Sequence, residues 1–479
     1  MPMPTIGSRT SRSSRTPHSA RSLAVSVLVE SVDSPEGVDV LMDRALSSSP
    51  LDNRDRALAV ELVYGVWRRL GTIDWRFEPV LDKPLRRLPV IVQMLIRLGG
   101  YQILFLDRIP QSAAVNESVQ LAKSYAPVLG RDWSGFVNAV LRGLIREPPQ
   151  PWPGVDAEAP KSLAVRHSVP EWLSRRWIER FGLAGAESAC ELTSSIPPVT
   201  IRVNRLKTTR EEYLTLLQKA GLSVKATPGS PVGVLIEAGG PVTSFPGFEE
   251  GHFYLEDEAA QLIPPLLDPQ PGSVILDACA APGGKATHLA ELMRDEGTIY
   301  ALDRHAPRLD LLRNNCTRLG IKSIVPLIGD ARDPSAWRRA TRIKGEPPFN
   351  VERTFDRILV DAPCSGLGVL RRHPEAKWRK DSSNFERHHR LQVQILESVA
   401  PRLRPGGVLV YSTCSSEPEE NEAVIEEFSR THAEFQRESV SPWLPAEAQI
   451  FLTERGDFST IGNRQSLDGF YAARLTRVP

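Results

Sequence analysis

The sequence predicts an α/β domain with a doubly wound, mostly parallel sheet, preceded by an all-α domain and a small α/β module. Three observations carry that expectation. After Gly251, apolar segments ending in Asp alternate with helical stretches, at Ser273–Asp277, Thr298–Asp303, Ser323–Asp330 and Phe355–Asp361, and Gly407–Thr413 continues the series. Buried strands separated by helices are the pattern of βαβ units, whose ligands lie at the carboxyl ends of the strands. From Ser22 to Arg146, by contrast, apolar residues recur at three- and four-residue spacing, as in Arg54–Arg69, Leu88–Leu106, Ala113–Ala126 and Gly135–Ile145, the period of a helical bundle. Between the two patterns, Pro148-Pro149-Gln150-Pro151-Trp152-Pro153-Gly154 cannot continue a helix, because each proline removes a backbone donor and fixes φ.

In chain order, residues 1–21 are rich in Ser and Arg, with no acidic residue before Glu30 and no apolar stretch. They read as a flexible tail, and an organellar transit peptide shares that composition. Residues 22–147 are the helical domain and 148–160 a Pro-rich linker. Residues 161–250 comprise further helix to about 196, then a module with a strand Val199–Val203, a helix Arg210–Ala220 and a strand Gly233–Ile236. Residues 251–479 form the large α/β domain.

At roughly 150 residues per domain, 479 residues fit about three such domains. Hydrophobic residues at 41% and charged residues at 24% are ordinary globular usage, which excludes a largely disordered chain. No window reaches the 18 or so uncharged apolar residues of a spanning helix, so no membrane role is expected. Lys and Arg total 59 against 58 acids, so any nucleic-acid site must be local and shaped, since bulk charge cannot supply it. Residues 1–147 carry 19 basic and 15 acidic residues, a tilt toward RNA. The five cysteines, Cys190, Cys279, Cys316, Cys364 and Cys414, are too scattered for a disulfide framework and make no zinc-type cluster. A reducing, cytoplasmic setting and no metal are expected.

Asp277-Ala278-Cys279-Ala280-Ala281-Pro282-Gly283-Gly284-Lys285 follows a strand and opens a helix. Small residues there let the backbone approach a ligand, and a helix N-terminus offers amides to a carboxylate or phosphate. Asp303, ending the next strand, is placed to accept from ribose hydroxyls, and Asp330, after the third, from an adenine amino group. Together they describe a nucleoside-bearing ligand with a charged tail, although each Asp taken singly reads equally as a helix cap. Cys364 in Asp361-Ala362-Pro363-Cys364-Ser365-Gly366-Leu367-Gly368 and Cys414 in Tyr411-Ser412-Thr413-Cys414-Ser415 lie just beyond strand ends of the same sheet. A cysteine inside an apolar strand is usually a small core residue, but these polar settings favour reactive thiols that can approach each other.

Asp277–Lys285, Asp361–Gly368, Ser412–Ser415 and Asp468-Gly469-Phe470-Tyr471-Ala472-Ala473-Arg474-Leu475 together resemble the Nop/Sun family of S-adenosylmethionine-dependent RNA cytosine-5 methyltransferases. Tyr101–Pro110, Ala113–Glu117 and Gly135–Arg142 resemble the NusB-like RNA-binding domain. That pairing is similar to the RsmB/Sun-type branch, which methylates a cytosine of 16S ribosomal RNA, and the likeness spans roughly residues 22 to 475. The chain departs from the family pattern at Glu256, usually Gln, and at residues 342–352, a loop insertion.

The resemblance implies a Rossmann-like class I methyltransferase domain, with S-adenosyl-L-methionine held by Cys279, Ala280, Ala281, Pro282, Gly283, Gly284, Lys285, Asp303, Asp330 and Asp361. It implies Cys414 as the nucleophile at C6 of cytosine, Cys364 as the base for release and Asp361 at N3. Lys285 either positions the base, raises the electrophilicity of the site, binds the cofactor or caps a loop. Arg371-Arg372-His373 and Lys377-Trp378-Arg379-Lys380 interleave cations with an aromatic ring and are candidates to hold RNA, the alternative being a solvated basic face over a buried Trp. Arg202-Val203-Asn204 matches a family segment near the substrate, the alternative being a strand-end turn. The expected partner is 16S ribosomal RNA before full subunit assembly, bound by a monomer. The same reaction on tRNA and a non-catalytic RNA chaperone are the competing functions.

Overall fold

The computed structural model describes residues 19–238, 240–339, 349–462 and 467–478. Most of the expected tail and of the expected insertion at 342–352 lies outside them. The chain forms two compact units, residues up to Ser194 together with His373–Trp378, and Ser195–Arg372 together with Arg379–Pro479.

The first unit is helical, with its main helices at Ala20–Asp33, Val38–Ser47, Asn53–Phe77, Val90–Phe105, Gln111–Ser124, Ser134–Arg146, Val155–His167 and Glu171–Ser194. Ser19 starts the first helix with a capping box to Ser22, and Asp52 caps the third by accepting from the Asp55 amide; both satisfy amides that have no partner within the helix. Leu23, Leu62, Val66, Ile73, Leu95, Leu98 and Leu141 are buried in one core. Pro148–Gly154 is non-helical, and Trp152 stacks on Trp75 with ring centroids 4.8 Å apart. The helices expected as a connection between about 160 and 196 belong to this unit.

The second unit holds two sheets. The smaller is antiparallel, with β1 (Val199–Val203), β2 (Ser223–Ala226), β3 (Gly233–Ala238) and β4 (Phe253–Leu255) in the order β2-β3-β1-β4. Tyr213 and Leu217 of the helix Arg210–Lys219 pack on Ile201, Val203, Val234 and Phe253. The larger sheet comprises β5 (Val274–Asp277), β6 (Thr298–Asp303), β7 (Ile324–Ile328), β8 (Arg338–Arg339), β9 (Phe355–Asp361), β10 (Leu403–Thr413), β11 (Phe435–Glu438), β12 (Phe458–Ser459) and β13 (Tyr471–Arg477). Its order is β11-β13-β10-β9-β5-β6-β7-β8, with β12 on β13. Strands β5, β6, β7, β9 and β10 run parallel, and β13 inserts antiparallel beside β10.

Side chains on successive strand residues face opposite sides, which explains why both faces are buried. Leu276, Ile358, Leu409 and Tyr411 pack with the helices Ser383–Val399 and Glu422–Thr431, while Ile275, Leu359 and Val410 pack with the helix Gly284–Leu292. The chain progresses β5-β6-β7 in one direction and β9-β10 in the other, so strand order reverses between β5 and β9. In sheets of this kind ligands bind at that point, beyond the carboxyl ends, and Asp277 and Asp361 are the last residues of the two strands that flank it.

Candidate functional site

Asp277 is 1% exposed, and neither of its carboxylate oxygens has a hydrogen-bond partner among the described residues. Burial, together with the charge of Asp361, pushes its pKa up to about 7 against the opposing pull of Lys285. A buried carboxylate without a donor is costly, so the site fits a ligand that brings an ammonium or hydroxyl donor to it. The backbone beyond it is stitched to both neighbouring strands, Ala278 N to Leu359 O and Ala280 N to Leu302 O, each at 2.9 Å. Gly283 has φ +110°, which disfavours any side chain. At Gly284 a Cβ would lie 2.9 Å from Glu256 Oε1 and 3.3 Å from the Tyr254 ring. The helix Gly284–Leu292 therefore begins with bare backbone, its first amides available to an anionic group.

The two more distant aspartates are placed differently. Asp303 is buried; its Oδ1 accepts from the His305 amide at 2.8 Å, and its Oδ2 lies 3.5 Å from Arg308 Nη1. Asp330 is committed to Arg332, accepting from Nη2 at 2.7 Å and Nε at 3.0 Å, bonds that hold its carboxyl below the usual range. The expected adenine contact is thus not presented as a free carboxylate, because a neighbour two residues away satisfies it.

The two cysteines do converge. Parallel pairing of β9 with β10 sets Asp361 opposite Ser412, and the loops that follow bring Cys364 Sγ to 3.3 Å from Cys414 Sγ. Gly368 closes the arrangement by backbone approach. Its amide donates to Cys414 O at 2.9 Å and its carbonyl accepts from Gly469 N at 2.8 Å, and a Cβ there would lie 1.9 Å from Gly469 O. Lys285 Nζ donates to Asp361 Oδ2 at 2.7 Å and stands 5.2 Å from the centre of the Phe470 ring, while Ser412 Oγ donates to Asp361 Oδ1 at 2.8 Å. Asp361 raises the Lys285 pKa despite burial. The hydrogen bond from Cys364 lowers the Cys414 pKa, with Lys285 and Lys380 contributing against burial and Asp361. Cys364 is driven the other way by the same bond, by burial and by the charges of Cys414 and Glu420. Of the two thiols, Cys414 is therefore the one that gives up its proton more readily.

The candidate RNA contacts are corrected by burial. Arg202 is fully buried, donating from Nη1 to Glu256 Oε2 at 2.5 Å and Gly284 O at 2.7 Å, and from Nη2 to Thr287 Oγ1 at 2.9 Å and Glu291 Oε1 at 2.8 Å. Burial pushes Glu291 up to about 7 against the pull of Arg202. Asn204, also fully buried, donates to Gly251 O at 2.8 Å and Leu319 O at 3.0 Å. Arg371 is bonded to Asp468, and Arg372 to Asp468 and, at 2.7 Å, to Asp257 Oδ2. Lys377 is fully buried inside the first unit, donating to Arg68 O at 3.2 Å, and its pKa is pushed down to about 7 by burial and by Arg68 and Arg69. Trp378 donates from its indole nitrogen to Trp67 O at 3.0 Å. Arg202, Arg371, Arg372 and Lys377 have partners within the protein and organise the fold, while Arg379 of the same run is exposed.

Sequence reasoning missed Glu420, whose carboxylate accepts from Ser365 N at 2.7 Å, from Ser365 Oγ at 2.5 Å and from Ser415 Oγ. The available signal was the run Ser416-Glu417-Pro418-Glu419-Glu420-Asn421 directly after the second cysteine loop. Asp277 was legible as part of the glycine-rich segment, but its unpartnered state was not.

Residues 264–476 match the family described as 16S rRNA methyltransferase RsmB/F, residues 18–146 the NusB family, and residues 169–243 the ferredoxin-like domain of RsmF/B-like methyltransferases. The chain is 38% identical over 461 residues to the probable ribosomal RNA small subunit methyltransferase B of Synechocystis sp., covering 96% of this chain and all of that one. It is 36% identical over 428 residues to ribosomal RNA small subunit methyltransferase B of Escherichia coli, covering 89% and 92%. Among solved structures, that of PH0851 superposes with a TM-score of 0.78 at 27% identity, covering 95% of this chain and 98% of the other. NSun6 from Pyrococcus horikoshii, solved with SFG, gives 0.55 at 23% identity over 65% and 98%, a likeness of fold.

Proposed function

The chain belongs to the RsmB/F family of 16S rRNA methyltransferases, and we propose that it methylates C5 of a cytosine in 16S ribosomal RNA through a covalent bond from Cys414 to C6. The observation that carries this reading is the pair of sulfurs 3.3 Å apart at the ends of adjacent strands, beside the Lys285–Asp361 ion pair. C5 of cytosine is too weak a nucleophile to take a methyl group unaided. When the Cys414 thiolate adds to C6, the C5–C6 π electrons are released into the ring and C5 becomes enamine-like. Asp361, bridged to the Lys285 ammonium, is the group placed to hold N3 as charge builds there, with a Lys285 proton available to the pair. S-adenosylmethionine, when bound, would supply an electrophilic sulfonium methyl. Cys364 then takes the C5 proton, the double bond re-forms, and Cys414 departs as a thiolate. Bonding of Cys414 to carbon removes one of the charges that hold Cys364 protonated, so Cys364 can release its own proton to solvent and take the C5 proton as a thiolate.

The cofactor residues fit such a group. Asp277 would accept a donor from the amino-acid end, the amides at the start of the helix Gly284–Leu292 would hold its carboxylate, and Asp303 would accept from the ribose hydroxyls. A target base must leave its stack or lie in a single strand to reach Cys414, and the NusB-like helical unit is assigned RNA binding. The direct test follows the methyl group. Labelled S-adenosylmethionine and 16S RNA should give 5-methylcytosine on nuclease digestion, and label on any other atom or only on tRNA would overturn the assignment.

Two smaller outcomes probe the cofactor side. Asp303→Ala should weaken S-adenosylmethionine binding by about 1.5–3 kcal/mol, the cost of a lost charge-assisted hydrogen bond; calorimetry showing unchanged affinity would refute the ribose assignment. Asp277 has its folded pKa raised to about 7 from 3.8. The folded state therefore holds its proton longer than the unfolded state does, and stability should fall as pH rises between about 4 and 7, by at most about 4 kcal/mol. Asp277→Asn should flatten that slope in urea titrations run without cofactor. An unchanged slope would show that other groups cause it.

A further inference from the structure

Adjacent strand ends bring the Cys364 and Cys414 loops near each other, and how closely their sulfurs approach depends on what joins the two loops. Glu420 touches both. It is fully buried, and one carboxylate reaches Ser365, the residue after Cys364, through its amide and hydroxyl, and Ser415, the residue after Cys414, through its hydroxyl. The two hydroxyls lie 3.1 Å apart, so Glu420, Ser365 and Ser415 close a triangle directly behind the cysteines. The next residue completes the hold on the second loop. Asn421 donates to Ser415 O at 3.0 Å and accepts from Thr413 Oγ1 at 2.5 Å. Glu420 is fixed in turn by Tyr411, whose hydroxyl donates to the Glu420 carbonyl at 2.5 Å, and by His388 Nδ1, 2.9 Å from Oε1.

We propose that Glu420 is a positioning residue of the reaction, holding the Cys364 and Cys414 loops together through Ser365 and Ser415 so that both sulfurs serve one pyrimidine ring. This rests on the reading of the cysteines as nucleophile and release base. Glu420 touches neither sulfur and does not enter the chemistry. Burial would keep its carboxyl protonated, but the close approach of His388 and the bonds from Ser365 and Ser415 hold its pKa below the usual value. The resulting charge is one of those that raise the Cys364 pKa, so the residue that joins the loops also favours Cys414 as the thiolate.

Two readouts on the full-length protein separate positioning from general structure. The first uses no RNA or cofactor. With oxidised glutathione, one cysteine thiolate displaces a glutathione thiolate, and the other then attacks the mixed disulfide, releasing the second and closing a Cys364–Cys414 bond. Only a short approach from 3.3 Å to about 2.05 Å is needed, so the wild-type protein should form this bond readily, as read by mass spectrometry of the linked peptides. Glu420→Gln, nearly isosteric but with one accepting oxygen in place of two, should slow it about 10-fold or more. The second readout is turnover, in which the same variant should lose about 10- to 100-fold in kcat, the scale of a displaced catalytic group, with KM for RNA and affinity for S-adenosylmethionine unchanged. Ser415→Ala, which removes one arm of the triangle, should move both quantities in the same direction by less.

The proposal is overturned if the wild-type protein forms no such disulfide, or if both variants close it at the wild-type rate, whatever their turnover. It is also overturned if the losses appear in KM and cofactor binding instead of kcat. If disulfide closure slows as expected but the wild-type enzyme puts no methyl group on cytosine C5, Glu420 still holds the loops and the assigned reaction is what fails.

Discussion

Cys414→Ala protein incubated with 16S RNA and S-adenosylmethionine is expected to transfer no methyl group and to give no retarded protein–RNA band on a denaturing gel. Cys364→Ala protein should transfer the methyl group and then stall, giving a strong covalent band. The two sulfurs are 3.3 Å apart, yet they act at different times and so fail differently. Without Cys414 the bond to C6 never forms, and the rate loss should reach the several orders of magnitude seen when a nucleophile is removed. Without Cys364 the bond forms, but the C5 proton has no base. Removing Cys364 also takes away the hydrogen bond that lowers the Cys414 pKa, so band formation by Cys364→Ala should need higher pH than methyl transfer by the wild type does. A band from Cys414→Ala with none from Cys364→Ala would reverse the roles. Full activity in both variants would exclude covalent catalysis.

Arg202→Ala is expected to cost about 3–5 kcal/mol of stability, the usual result of removing one partner from a buried ionic cluster. Arg202 is wholly buried and stands between Glu256 and Glu291, with side-chain exposures of 6% and 0%. Its loss would leave two carboxylates facing each other away from water. Glu256→Gln should cost much less, because Gln can still accept from the guanidinium and Glu291 still balances its charge. Urea unfolding of the three proteins checks this. The outcome also separates the structural role from the RNA contact expected from the sequence. An RNA contact would leave stability unchanged and reduce the salt dependence of RNA binding. Because Arg202 also donates to Gly284 O at 2.7 Å, Arg202→Ala should loosen the start of the cofactor helix and weaken S-adenosylmethionine binding.

The convergence of the two cysteine loops was legible because its signals are local. Asp277–Lys285, Asp361–Gly368 and Ser412–Ser415 are each a strand end followed by a loop, and the Asp and Cys residues stand where a parallel sheet presents its ligand-binding edge. Even the approach of Cys364 to Cys414 follows from two such loops ending adjacent parallel strands. Glu420 was not legible although it lies six residues from Cys414, because what gives it a role is Ser365, 55 positions away.

The basic residues went the other way. Arg371, Arg372 and Lys377 cluster after the Cys364 loop, and charge in such a place reads as an exposed RNA surface. The structure pairs the two arginines with Asp257 and Asp468 and buries Lys377 against the Arg68 carbonyl, 309 residues away in sequence. Periodicity and strand-end patterns depend on neighbours along the chain, so the sequence by itself determined the order of domains, the parallel sheet and the residues at its carboxyl edge. Whether a charge meets water or a counter-charge depends on segments far apart that only folding brings together. The tertiary structure therefore decided the burial of Arg202 and Lys377, the unpartnered Asp277, and the carboxylate that binds the two cysteine loops.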